Sequence, residues 1–219
     1  MPKRTEEQAG VSPPKSIVGT DDRVTAREER AGLPIISFDA EGLFDAWLGA
    51  EPRTSKGLWL KLSKKGSGIA SISRAGAVDA ALCHGWIDGH QVKYDDASWL
   101  VRCTPRKRGS RWSQLNRTRA LELTAAGRMR PAGLAEIEAA RSDGRWDSAY
   151  APASTAQPTE EFRVALDAST KAAAAFARLK GAHRYAILYR IAAVKRTETR
   201  LKRITGFIEM LERGQTVFG

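Results

Sequence analysis

The apolar residues of this chain change their period at one place. Up to Pro105, short alternating runs are separated by two stretches of helical spacing, and beyond Ser113 the spacing is helical throughout. This order predicts the α+β class: a small antiparallel or mixed sheet packed with helices, followed by a C-terminal helical bundle.

The local signals are specific. PIISF after Leu33 reads as a strand, followed by Asp39 as a helix N-cap and by Leu43, Phe44, Trp47 and Leu48 at helical spacing. Gly57 opens LWLKL, in which Leu58, Leu60 and Leu62 share one face and Trp59 and Lys61 the other, as in a half-buried strand. A helix over about 75 to 84, with Val78, Ala81 and Leu82 inward, is closed by Gly85. Residues 86–93 and 98–104 form two strands around the turn Tyr94-Asp95-Asp96-Ala97, and this hairpin precludes an all-parallel sheet.

Ser113 caps a helix that runs to Gly127, and Pro131 stands at the first position of another that stops at Gly144. Helices follow near 159–168, 170–179, 183–195 and 198–213, the last with Leu201, Ile204, Ile208 and Leu211 in one stripe. The organisation expected is a flexible tail (1–30), an α+β domain (31–150), a linker (151–158) with two prolines and no charge, and a helical domain (159–219).

Several classes are set aside on composition. No stretch approaches the ~18 to 20 apolar residues of a membrane span, and MPKRTEEQAGVSPPKS has no apolar secretion core, so a cytoplasmic protein is expected. Cys83 and Cys103 fit neither a disulfide framework nor zinc spacing, and neither a metal nor a cofactor is expected. His84 and His90 can each serve as a base, but no GxSxG or HExxH motif accompanies them.

The net charge of +11 is concentrated rather than spread. Residues 56–65 carry +4, 102–119 carry +7 and 178–213 carry +7; against the total of +11, the remainder is therefore −7. Basic surfaces of this kind meet something acidic, or serve as solvated faces.

The middle run is the densest constellation. With Ser113 as N-cap, the free N–H groups of residues 114–116 leave a positive helix end, and Arg106, Lys107, Arg108 and Arg111 approach it from the preceding loop. Ser110, Ser113 and Asn116 add hydroxyl and amide groups, and arginine can grip a carboxylate or phosphate with two parallel hydrogen bonds. Trp59, Trp86, Trp99 and Trp112 interleave with these cations, either as core residues or as platforms for a flat ligand. Asp88, between Trp86 and Gly89, is a turn residue, the lock of an arginine, or a general base.

The strings GLWLKLSKKGSG, AVDAALCHGWIDGH, TPRKRGSRWSQLN, GRMRPAGLAEI, DGRWDSAY and RYAILYRIAAVKRTETRLKRI together resemble the YdeI/OmpD-associated family, also called bacteriocin-protection proteins, over about 40–213. The resemblance implies a role in protection against bacteriocins and cationic antimicrobial peptides, and it implies no reaction and no cofactor. A basic chain repels a cationic peptide, so an acidic or neutral toxin, or an indirect route, fits the charge better.

These observations lead to one expectation and two alternatives. The first is a resistance or stress protein that binds a small anionic or aromatic ligand, an antibiotic among the candidates. Its pocket is lined by Lys61, Trp86, Asp88, Arg106, Ser110, Trp112, Ser113 and Asn116. The second is non-specific nucleic-acid binding through the Arg-rich loop and the C-terminal helical face. The third is an enzyme modifying an anionic toxin with Asp88 as base.

Overall fold

A computed structural model describes residues 28–218. Residues 1–27, most of the expected tail, lie outside the described residues. Glu28–Arg30 were expected to belong to that tail and instead form strand β1. It pairs antiparallel with β2 (Leu33–Ser37), and the Arg30 carbonyl accepts the indole N–H of Trp59 at 2.9 Å.

The sheet has five strands in the order β1-β2-β3-β5-β4, with β3 at Leu58–Ser63, β4 at Trp86–Lys93 and β5 at Ser98–Pro105. It is mixed. β2 and β3 run parallel, joined across helix α1 (Glu41–Ala50), while β3–β5 and the β4–β5 hairpin are antiparallel. The N-cap of α1 is Ala40, not Asp39, and it makes no side-chain cap.

Alternation along β3 divides the apolar residues between two faces, as expected. Leu58, Leu60 and Leu62 meet Phe38, Phe44, Trp86 and Val101 under α1 and α2 (Arg74–Cys83). Trp59 is nevertheless buried, because β1 and the Leu33, Ile35 and Leu100 side chains cover the other face. Gly57 is required before β3: its φ is +97°, and a Cβ there would lie 2.2 Å from the Cys103 carbonyl oxygen.

Two further helices, α3 (Gln114–Ala125) and α4 (Pro131–Ser142), pack on α2 around Leu82, Trp112, Leu123, Ile137 and Trp146. Ser113 caps α3 by accepting the Asn116 N–H, and Pro131 opens α4. Beyond Tyr150, helices α5 (Glu160–Asp167), α6 (Thr170–Arg178), α7 (Gly181–Ala192) and α8 (Thr197–Glu212) enclose a separate core of Phe162, Phe176, Ile187, Ile191, Ile204 and Leu211. Of the stripe on α8, Ile204 and Leu211 are buried, while Leu201 is exposed. Arg200 on the same helix reaches Glu161 at 2.6 Å. No helix among the described residues is long and apolar enough to cross a membrane.

Candidate ligand-binding site

Gly85 ends α2 with φ +71°, and its carbonyl accepts both the Arg106 N–H at 3.0 Å and a guanidinium N–H of Arg53 at 2.9 Å. This fixes the exit of β5. The following loop is held by further bonds: the Lys107 N–H reaches the Ser110 hydroxyl at 2.9 Å, and Arg145 donates to the Ser110 carbonyl at 2.9 Å. Asp143, at 2.7 Å, supplies the counter-charge of Arg145.

Within this frame the Arg106 side chain is turned inward and is only 3% exposed. Its guanidinium lies over the Trp112 ring, 3.7 Å from the centroid, and its one hydrogen bond among the described residues runs to the Arg111 carbonyl at 3.3 Å. The Arg106 Nε and second terminal nitrogen, Nη1 of Arg111 and Nε1 of Trp112 are all buried and without a hydrogen-bond partner among the described residues. All four are donors, so what the cluster lacks is an acceptor. Burial of the cation, only partly offset by the charges of Glu136 and Asp88, pulls the Arg106 pKa down to about 10. It remains charged at neutral pH.

Arg111 extends the cluster towards a cleft of about 230 Å³. Its guanidinium sits 5.1 Å from the Tyr150 ring centroid and 4.6 Å from that of Tyr189. Tyr150 is stitched alongside the loop, its N–H reaching the Trp112 carbonyl at 3.0 Å and its carbonyl accepting the Gln114 N–H at 2.9 Å. Burial raises the Tyr150 pKa above the usual phenol value, with Tyr189 and Asp88 adding to the effect, so the hydroxyl stays neutral. Tyr185 and Tyr189, one turn apart on α7, form the opposite wall, and Tyr185 donates to the Ala151 carbonyl at 3.0 Å.

Of the residues singled out in the sequence, Arg106, Ser110, Trp112 and Ser113 belong to this neighbourhood. Ser110 spends its hydroxyl on the loop, and Ser113 meets both the Asn116 N–H and the Tyr150 phenol. Asn116 contributes that backbone N–H and lies half-buried on α3. The other three do not gather here. Lys61 is on the Trp59 face of β3, 4.2 Å from the Tyr94 ring centroid and 3.8 Å from Asp95. Trp86 is 1% exposed and packs on Trp47 in the main core. Asp88 is within electrostatic reach of Arg106 but bonds Arg74 at 2.8 Å.

The tyrosines were not anticipated. Tyr185 and Tyr189 did carry a signal, since a four-residue spacing on a predicted helix puts two phenols on one face.

Comparison with known families divides the chain. Residues 36–136 match a family model described as a domain of unknown function. Residues 155–214 match one described as bacteriocin-protection, YdeI or OmpD-associated. The helical C-terminal region is thus similar to the YdeI/OmpD-associated family over these residues. The match therefore takes in the RYAILYRIAAVKRTETRLKRI part of the family-like sequence, and the WIDG and SRWSQLN segments fall to the other model. Comparison with curated proteins and with solved structures found no match. The segment matched by the YdeI/OmpD-associated model includes α7, and with it Tyr185, Leu188 and Tyr189, which face the cleft that Arg111 and Tyr150 close from the other side.

Proposed function

We propose that the chain is a resistance or stress protein of the YdeI/OmpD-associated type that binds a small anionic or aromatic ligand, an antimicrobial compound among the candidates, at the Arg106–Arg111–Trp112 cluster. The family match over 155–214 supports the resistance-type role. The observation that carries the binding site is Arg106: a guanidinium 3% exposed, with two unpartnered nitrogens among the described residues and no carboxylate bonded to it. A buried charge left unpaired is costly, by several kcal/mol in a real protein interior, and an anion offsets that cost by accepting the free N–H groups. We also read residues 31–150 and 159–219 as separate units joined by 151–158, which the separate core of α5–α8 supports.

The test is a pair of titrations with inorganic phosphate and with benzoate, on the wild-type chain and on Arg106→Met. Methionine keeps the apolar stem of the arginine and removes the charge. The wild type is expected to bind at least one of the anions, and the variant to bind it ~1.5 to 3 kcal/mol more weakly, as for a lost charged hydrogen bond. In cells, Arg106→Met should give the same loss of resistance as deletion of the chain. Equal binding by both proteins overturns the site.

A further inference from the structure

The Arg111 cleft has a shape and a composition that narrow the ligand class, and this narrowing rests on the reading just given. One end is cationic, since Nη1 of Arg111 is buried and has no partner among the described residues. The walls are aromatic and small: Tyr185 and Tyr189 stand 5.9 Å apart between ring centroids, Leu188 adds an apolar contact, and Ala149, Ala151, Ala156 and Ala192 leave the width. Ser148 and Gln157 are the polar groups of the lining besides Arg111 and the phenols. A volume of about 230 Å³ falls below the roughly 300 to 1,000 Å³ of drug-sized sites, so it suits one ring rather than a nucleotide or a macrocycle.

From this juxtaposition we infer that the cleft takes a small aromatic carboxylic acid. The carboxylate accepts from Arg111, and the ring enters between the α7 tyrosines and the alanine wall. Arginine suits a planar carboxylate through two parallel N–H bonds, and flat rings favour offset or edge contacts with tyrosine. A larger cleft, about 390 Å³ beside α1 and α2, offers no such end: Asp45 is bonded to His84 at 2.9 Å and to Arg130 at 3.2 Å, and Arg128 faces Asp79 at 3.5 Å. The ligand also has a structural consequence. Arg111 and Tyr150 precede residue 151, while Tyr185 and Tyr189 lie on α7, so an occupant touches both sides of the 151–158 connection.

Three probes of similar charge separate the ring from the carboxylate: acetate, cyclohexanecarboxylate and benzoate, each titrated into the full chain at constant ionic strength and followed by amide chemical shifts. Benzoate should bind about tenfold tighter than acetate and measurably tighter than cyclohexanecarboxylate, with shifts on both the 148–151 segment and α7. Tyr189→Leu should bring the benzoate-to-acetate ratio close to one while acetate binding persists, and Arg111→Gln should weaken all three.

Equal affinity of the wild type for the three probes overturns the aromatic assignment and leaves the anion site standing. Absence of binding by all three, with phosphate also silent, overturns the anion site and the assignment with it. Because the wild-type series alone decides between these results, failure of Tyr189→Leu to fold does not rescue the inference.

Discussion

Two arginine-rich regions border α2, one along its second half and its C-cap and the other just beyond Gly85, and they are built in opposite ways. At one, Asp79 takes two bonds from Arg119, at 2.7 and 2.5 Å, with Arg128 at 3.5 Å, and Asp45 holds His84 and Arg130. Each arginine named there has an acid of the same chain. At the other, beyond Gly85, Arg106 is more deeply buried than any of them and has an aromatic ring and a carbonyl instead of an acid. The first arrangement spends its charges on the fold, and the second keeps donors free. Charge density along the sequence does not separate the two, since Arg106, Arg111 and Arg119 all belong to the same +7 run.

Trp112→Ala breaks the comparison most severely. The ring is 1% exposed, meets Trp146 at 4.9 Å and carries Arg106 on its face, so its loss should cost about 3 to 5 kcal/mol in a denaturant titration. A cost below about 1 kcal/mol would mean that the ring is not the packing anchor of the cluster.

Gly85→Ala acts on the joint between the two regions. With φ at +71° and a new Cβ 2.8 Å from the Ala132 carbonyl oxygen, it should cost about 1 to 3 kcal/mol and disturb Arg106 through the Gly85 carbonyl. The check is a lower unfolding midpoint together with weaker anion binding.

The boundaries of most elements were readable because punctuation residues stand at them: Gly85 after α2, Ser113 before α3 and Pro131 at the start of α4. β1 was not, since Glu28-Glu29-Arg30 has no apolar period and exists as a strand only through its ladder to β2. At the site, Arg106 to Ser113 were readable because they are neighbours in sequence. The tyrosines come from residue 150 and from α7, and tertiary packing alone brings them to Arg111. Alternation told which sheet face Lys61 occupies but not that Asp95 and Tyr94 would meet it there.

The paired region sharpens the comparison through pH. The hydrogen bonds from Arg119 hold the Asp79 carboxyl below its usual value of 3.8, so this contribution is present above that pH and is lost as pH falls through the lower folded value. Asp79→Asn should therefore cost about 1 kcal/mol at neutral pH, screened because both arginines are partly exposed, and should flatten the stability curve in the acid range. An unchanged acid limb in the variant would remove Asp79 from that role. Tyr185→Phe is the mildest change: loss of the bond to the Ala151 carbonyl should cost about 0.5 to 1.5 kcal/mol, read as a small drop in unfolding midpoint.

The contrast comes down to whether Arg106 lacks an acid because a ligand brings one. Thermal unfolding of wild type and Arg106→Met across an inorganic phosphate series at fixed pH and ionic strength asks this directly, since a ligand that binds the folded chain raises its midpoint with the logarithm of concentration. The expected result is a rising midpoint for the wild type and a flat one for Arg106→Met, which unfolds at or above the wild-type temperature in the absence of phosphate. Parallel curves for the two proteins, or a variant that is strongly destabilised without phosphate, would show that Arg106 serves the fold and would contradict the proposal.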